Sequence, residues 1–218
     1  MSSATHLASP GKMLSINPAD HQVHEIYKLM VGLIVPRPVA LVSTIDRDGV
    51  PNVAPFSFFS GVGSNPPTVL FCPALRSPGG RPDNRKDTLR NVEQTGEFVI
   101  NIVSSAIAEA ANATAADVDP EVDEFQLAGL TAIPSAIVRP PRVAESPAQF
   151  ECKLLQIVFT GEKSGAGVIV LGEILRVHIA AHLEHNFRVD PAGLDAVGRM
   201  AGNTWVHTHE RFDLERPK

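Results

Sequence analysis

Lys86-Asp87-Thr88 sets a cation, a carboxylate and a hydroxyl side by side at the head of a short helical pattern. Ser43, Thr44, Ser57 and Ser60 add hydroxyls near strand ends upstream. A helix N-terminus with free amides and a nearby lysine is a ready site for an anion, so this set reads as a phosphate cradle. The plainer alternative is that Lys86-Asp87-Thr88 only starts a helix. Phe56, Phe58 and Phe59 surround Ser57, and Asn52 and Ala54, two apart, share one strand face. Edge-strand amides there would meet the polar rim of a flat heteroaromatic ring; the alternative is an ordinary core with aromatics inside.

Other chemistry has less footing. His178 and His182 are spaced i, i+4, His182 and His185 i, i+3, and His207 and His209 alternate on a strand. Zinc needs a third and a fourth ligand, and none is marked, so these read as solvated or core histidines and no metal is assigned. Gly61-Val62-Gly63 and Gly165-Ala166-Gly167 lack the third glycine of a dinucleotide loop. No serine sits in a Gly-x-Ser-x-Gly elbow.

The elements that must position these residues follow from local pattern. Asp20 to Leu33 reads as a helix with Ile26, Leu29, Met30 and Leu33 on one apolar face. Pro36 and Pro38 end it. Val39 to Ile45 is a strand, Asp46 to Gly49 a turn, and Val50 to Phe56 a returning strand that Pro51 and Pro55 confine to an edge. Thr68 to Cys72 is a strand and Leu75 to Arg85 a loop. Asp87 reads as the cap of a helix stopped by Gly96. Glu97 to Val103 is a strand, followed by an Ala-rich helix capped by Ser104 or Ser105 and ending near Ala116. Val118 to Ala148 carries five prolines and reads as irregular. Phe150 to Thr160 and Val168 to Ile179 form a long hairpin, and the rest is irregular except for a short strand near Thr204 to Thr208. Many strands, few helices and no strand–helix alternation point to an antiparallel barrel, closed or half closed.

A chain of 218 residues suffices for one domain with its own core. We take residues 1–19 as a flexible tail, 20–210 as the domain and 211–218 as a second tail. Net charge is -5 with both signs interspersed, which gives nucleic acid no basic stripe to bind. Cys72 and Cys152 lie in apolar runs and read as reduced core residues. Neither a signal-peptide block nor a membrane-length apolar run is present, so a cytoplasmic location is the expectation.

Taken in order, the motifs resemble one family. Arg37-Pro38-Val39-Ala40-Leu41-Val42-Ser43-Thr44 is followed by Asp48-Gly49, then Asn52 to Phe59, Asn65-Pro66-Pro67, Lys86-Asp87-Thr88 and Thr95 to Asn101. Phe125 to Thr131, Pro141 to Cys152, Gly172-Glu173-Ile174 and Gly198-Arg199-Met200 extend the likeness. This order is similar to the flavin reductase-like, FMN-binding split-barrel family and covers residues 25 to 208. The resemblance implies a mainly β fold: a six-stranded antiparallel Greek-key split β-barrel with flanking α-helices, forming a homodimer. It implies FMN near the dimer interface, reduction by NADH or NADPH, and electrons passed to a partner monooxygenase, free flavin or another acceptor. The runners-up are a flavoredoxin-like electron carrier and a non-catalytic flavin- or haem-binding barrel.

Carried onto this chain, Ser43, Thr44, Ser57, Lys86 and Thr88 hold the phosphate and ribityl chain. Asn52 and the stretch Ala54, Pro55, Phe56, Ser57, Phe58 and Phe59 meet the isoalloxazine. Arg37 and Asp87, from the motifs themselves, complete the cofactor-binding set. No protein side chain need act as the catalyst, because a flavin carries the redox chemistry. Two departures stand out. Related short reductases often place Gly-Asp-His where this chain has Gly165-Ala166-Gly167, which leaves His178 as a possible nicotinamide contact. Trp205 replaces a frequent tyrosine, keeping the aromatic surface and losing the hydroxyl.

Overall fold

Seven strands form one antiparallel sheet in the computed structural model, which describes residues 11–77, 83–119 and 122–217. In chain order they are β1 (Ala40–Ile45), β2 (Pro51–Phe56), β3 (Phe59–Ser64), β4 (Pro67–Phe71), β5 (Glu97–Ile102), β6 (Ala148–Phe159) and β7 (Val168–Ile179). Their spatial order is β2-β1-β5-β6-β7-β4-β3. β5, β6 and β7 run side by side, and β4, which precedes them, returns beside β7; this is Greek-key wiring. The sheet thus holds seven strands where six were expected. The addition is β3, whose sequence FSGVGS carries two glycines and two serines and so gives little strand signal. It is an exposed edge strand with a register shift between Gly61 and Gly63.

β1 explains how the sheet makes two cores. Its residues alternate faces. Ala40 and Val42 join Phe56, Phe71, Phe98, Ile100, Cys152 and Val170 in the inner core. Leu41 joins Val53, Phe125, Val143 and Val197 in an outer one. Both faces of β1 are covered, which is why Val39 to Val42 reads as an unbroken apolar run. Phe71 sits between Phe56 and Phe98, with centroids 5.1 and 5.2 Å away. Helix α2 (Asp87–Thr95) drives Leu89 and Val92 into the inner core. Helix α3 (Ala108–Ala113) covers the outer core with α4 (Glu124–Ala128).

Gly172 shows how tight the inner core is. A β-carbon there would fall 2.3 Å from Cζ of Phe98 and 2.7 Å from its Cε1. Neither the β7 backbone nor a ring wedged against Phe71 has room to yield. Gly172→Ala is expected to cost about 1–3 kcal/mol, the usual penalty for overpacking. A urea midpoint equal to the parent's would show that the ring moves aside freely.

Several local expectations hold and others change. The Asp46–Gly49 turn forms as read: Asp46 Oδ1 accepts from the amides of Asp48 and Val50, and Gly49 has φ of 94°. The first helix, α1, spans Val23–Leu33, but its apolar residues do not pack: Leu29, Met30 and Leu33 are exposed and only Val31 is buried. The Ala-rich helix is shorter than expected, because a 3-10 turn at Ser105–Ile107 precedes α3. Within the stretch read as irregular lies α4, capped by Asp123, which accepts from Phe125 and Gln126, and ended by Gly129 at φ 66°. An Asp before the run and a Gly after it were the available signals. The C-terminal part holds Val197–Arg199 and Trp205–His207, which pair with each other, and Val197–Arg199 also pairs with Arg37–Pro38. Cys72 and Cys152 are both free; burial pushes the Cys152 thiol pKa upward. Residues 1–10 of the expected N-terminal tail, and part of the Leu75 to Arg85 loop, lie outside the described residues.

Candidate functional site

The register of β1 with β2 sets Thr44 opposite Asn52, and α2 brings Thr88 and Asn91 over both. Asn52 Oδ1 accepts from Thr44 Oγ1 at 3.2 Å and from Thr88 Oγ1 at 2.9 Å. Asn91 Nδ2 donates to Thr44 Oγ1 at 3.1 Å. Asn52 Nδ2 donates to Glu124, which also accepts the Val53 amide at 2.8 Å. Five predicted and unpredicted residues thus share one network. Asn91 and Glu124 were missed; each follows or precedes a quoted motif by a few residues, but only the fold shows that it faces Asn52.

Ser43 is not among them. It neighbours Thr44 on a strand, so its side chain must point to the other face. There it is fully buried, accepts from Asn101 and donates to the Pro141 carbonyl. A phosphate role for Ser43 conflicts with that position.

Lys86 is the N-cap of α2, with extended φ and ψ, and Asp87 is the first helical residue rather than the cap. Lys86 makes no side-chain cap hydrogen bond at this end, where the N–H groups of a helix point out along its axis. The Lys86 ammonium lies 5.6 Å over the Phe56 ring. Burial, reinforced by the Arg76 charge, lowers its pKa, while Asp117 and Glu124 pull the other way. Asp87 takes Arg90 at 2.6 Å and lies 3.9 Å from Arg76. Burial pushes the Glu124 carboxyl up to about 7, against the hydrogen bonds from Val53 and Asn52. The network therefore gains or loses a proton near neutrality. An adjoining cleft of about 400 Å³ between the Asp46–Gly49 turn and α2 is lined by Asp46, Arg47, Asp48, Asn52 and Arg90, among others.

The Phe-Ser-Phe-Phe stretch divides. Phe56 is a core residue, 5% exposed, so its ring does not reach outward. Ala54 and Phe59 also pack against the inner core. β2 is an edge strand, but its edge offers few donors. Asp46 donates to the Val50 carbonyl at 3.1 Å, which fixes the pairing phase and turns residues 51, 53 and 55 outward. Pro51 and Pro55 have no N–H, and Val53 spends its own on Glu124. The expected amide rim is thus confined to Ser57 and beyond. Ser57 and Phe58 are half-buried, and both meet Arg37.

Arg37 is 4% exposed. It donates to Ser57 Oγ at 3.2 Å and to the carbonyls of Val31, Ile34 and Met200 at 2.6, 2.7 and 2.9 Å. It clasps the end of α1, the Ser57 bend and the Met200 loop together, and four of its five N–H donors are committed to that.

His178 Nε2 lies 2.6 Å from Glu151 Oε1. Glu151 is fully buried and accepts the amides of Ala136, Ile137 and Val138. This ring nitrogen is therefore spent within the chain. His182 and His185 are exposed, and the His185 ring lies 3.2 Å from Asn186 Nδ2. Trp205 packs on the outer core with Arg199 4.9 Å over its ring. A second cavity, about 580 Å³, lies there beside Glu109, Asn112, Arg199 and Asn203.

Solved structures share this fold. Nitrilotriacetate monooxygenase component B from Bacillus cereus superposes with a TM-score of 0.88 at 38% identity, over 94% of this chain and 100% of that one. The 2-nitrobenzoate 2-nitroreductase of Pseudomonas fluorescens gives 0.82 at 29%, over 94% and 96%. The flavoredoxin of Desulfovibrio vulgaris gives 0.69 at 25%, over 83% and 91%. The model for the flavin reductase like domain matches residues 31–199, most of the chain and every element described around Asn52. The chain is therefore a flavin oxidoreductase built on a split barrel, and it belongs to the flavin reductase-like family.

Proposed function

We propose that this chain binds FMN between the α2 N-terminus and the Ser57 bend, and serves as an NAD(P)H-dependent flavin reductase that feeds a separate acceptor. The observation that carries this is the uncapped start of α2 with Lys86 above Phe56. The positive end of a helix and a desolvated ammonium suit a phosphate. When bound, FMN would supply two-electron acceptance from the nicotinamide. Lys86 and the amides of α2 would hold its phosphate. Asn52, fixed by Thr44, Thr88 and Glu124, would orient the ribityl chain, with Ser57 and Phe58 along the ring. The similarity to a monooxygenase component at 38% identity supports a partner monooxygenase as the acceptor. The bare face of α1, with Leu29, Met30 and Leu33 exposed, supports a homodimer in which a second copy covers it.

Anaerobic mixing of the FMN-loaded protein with NADH, and separately with NADPH, tests this. Rapid bleaching of the flavin by one of them is expected. Retained colour with no bleaching by either would leave the flavoredoxin-like carrier instead. Failure to take up FMN at all would end both readings.

Lys86→Ala is expected to weaken FMN binding by about 1.5–3 kcal/mol, the worth of a charged hydrogen bond. Riboflavin, which lacks the phosphate, should bind both forms alike. Equal loss for both ligands in an equilibrium titration would place Lys86 away from the phosphate.

A further inference from the structure

Outside the flavin site, one group of side chains converges without a role. Val197–Arg199 pairs with Trp205–His207, and Val197 faces His207. Two steps further along that register, Asp195 falls opposite His209. The Thr208 hydroxyl donates to the Ala196 carbonyl at 2.9 Å and holds the two chains together there. His207 and His209, two apart, stand on one side with Asp195 facing them. His209 Nε2 lies 2.7 Å from Asp195 Oδ1, and one donor atom from each of the three residues lies within 4.8 Å of the others. The two rings sit edge to face, 5.3 Å apart.

The base of this group is built rather than loose. Asp195 adopts a left-handed conformation, φ 44°, and its carboxylate reaches across to His209. The Ser105 amide donates to the Asp195 carbonyl at 2.9 Å, and Ser105 Oγ lies 2.9 Å from His207 Nδ1, orienting that ring. Orientation of an imidazole by an outer partner is the usual companion of metal ligation.

We propose that Asp195, His207 and His209 bind a divalent transition metal of the zinc–cobalt–nickel class. Two imidazole nitrogens and one carboxylate oxygen are the donors such ions prefer, and three protein ligands leave a position for water. With metal–ligand bonds of roughly 2.1 Å, the donors of a tetrahedral site stand roughly 3.4 Å apart. The His209 side chain is largely exposed, and its 2.7 Å contact with Asp195 need only lengthen to admit the ion between them. The bound ion would clip the segment after Trp205 to the turn at Asp195. Sequence spacing offered only His207 and His209; the third ligand comes from the pairing of the hairpin.

The test uses the full-length chain without a histidine tag, stripped with a chelator and titrated with Co²⁺ and with Zn²⁺. One ion per chain is expected, with ligand-field absorption for Co²⁺ and a raised melting temperature for Zn²⁺. His207→Ala and His209→Ala should abolish this stoichiometric binding. Asp195→Asn, which keeps a residue tolerant of left-handed backbone, should weaken it by about 10–100-fold or more, since even outer partners are worth that much. Metal-free circular dichroism and melting should match the parent for His209→Ala, whose side chain is exposed. Absence of saturable binding by the parent, or equal binding by the His209→Ala variant, would overturn the proposal.

Discussion

Arg37→Met is expected to destabilise the fold by about 3–5 kcal/mol, the scale for leaving buried charged-bond partners unmet. The guanidinium is 4% exposed, yet its acceptors are all neutral: three carbonyls and the Ser57 hydroxyl. Two of those carbonyls, Val31 and Ile34, lie at the end of α1, where helical carbonyls have no partner of their own and the dipole is negative. Methionine fills much of the volume and restores none of the bonds. Arg37→Lys should fall between, because a compact ammonium cannot fork to three segments. Urea unfolding of the metal- and flavin-free chain measures this directly. A loss below about 1 kcal/mol for Arg37→Met would mean that water reaches the carbonyls and that the clasp is not a structural centre.

That clasp also explains where sequence reading stopped. Arg37 heads a motif that the resemblance ties to the cofactor, and spacing alone cannot say that its donors face the chain. The same limit separates Ser43 from Thr44: period-two alternation already forbade a shared face, whereas motif adjacency suggested one. What local pattern carries well is legible: the β1–β2 turn from Asp46 and Gly49, the stop at Gly96, and the Gly161–Gly167 hairpin loop. Patterns weaken where tertiary pairing supplies the stability, as in β3 with its glycines and in the two-residue and three-residue strands around Val197. The Phe56 ring turns inward against Phe71, 15 positions away in the chain, which in turn packs on Phe98. Asn52, Thr44, Thr88 and Lys86 were singled out by type and order, and the fold brings them near one another; that Glu124 and Asn91 join them, and that Asp195 faces His209, needed the fold.

Glu151→Gln is expected to cost a similar amount, about 3–5 kcal/mol, and to change the acid limb of stability. Glu151 has no exposed surface, and burial alone would raise its pKa. The amide of Ala136, the His178 ring and the amides of Ile137 and Val138 outweigh that and hold the carboxyl below the usual range. All of these partners donate, and Ala136 donates to one oxygen while Ile137 donates to the other. A glutamine has only one acceptor oxygen, so its NH₂ must face an amide that also donates. The sign with pH follows from the lowered native pKa. Above the unfolded value near 4.5 the ionised carboxylate contributes its full stabilisation, and this is lost as pH falls through the native pKa. The gap between parent and Glu151→Gln should therefore be flat from about pH 5 upward and narrow below about 4.5. Urea midpoints for the two proteins from pH 3 to 8 give the curve, about 1.4 kcal/mol for each unit of pKa difference. A gap that stays constant to the lowest pH would mean that the carboxyl is already protonated in the native chain and that the 136–138 loop is held by something else.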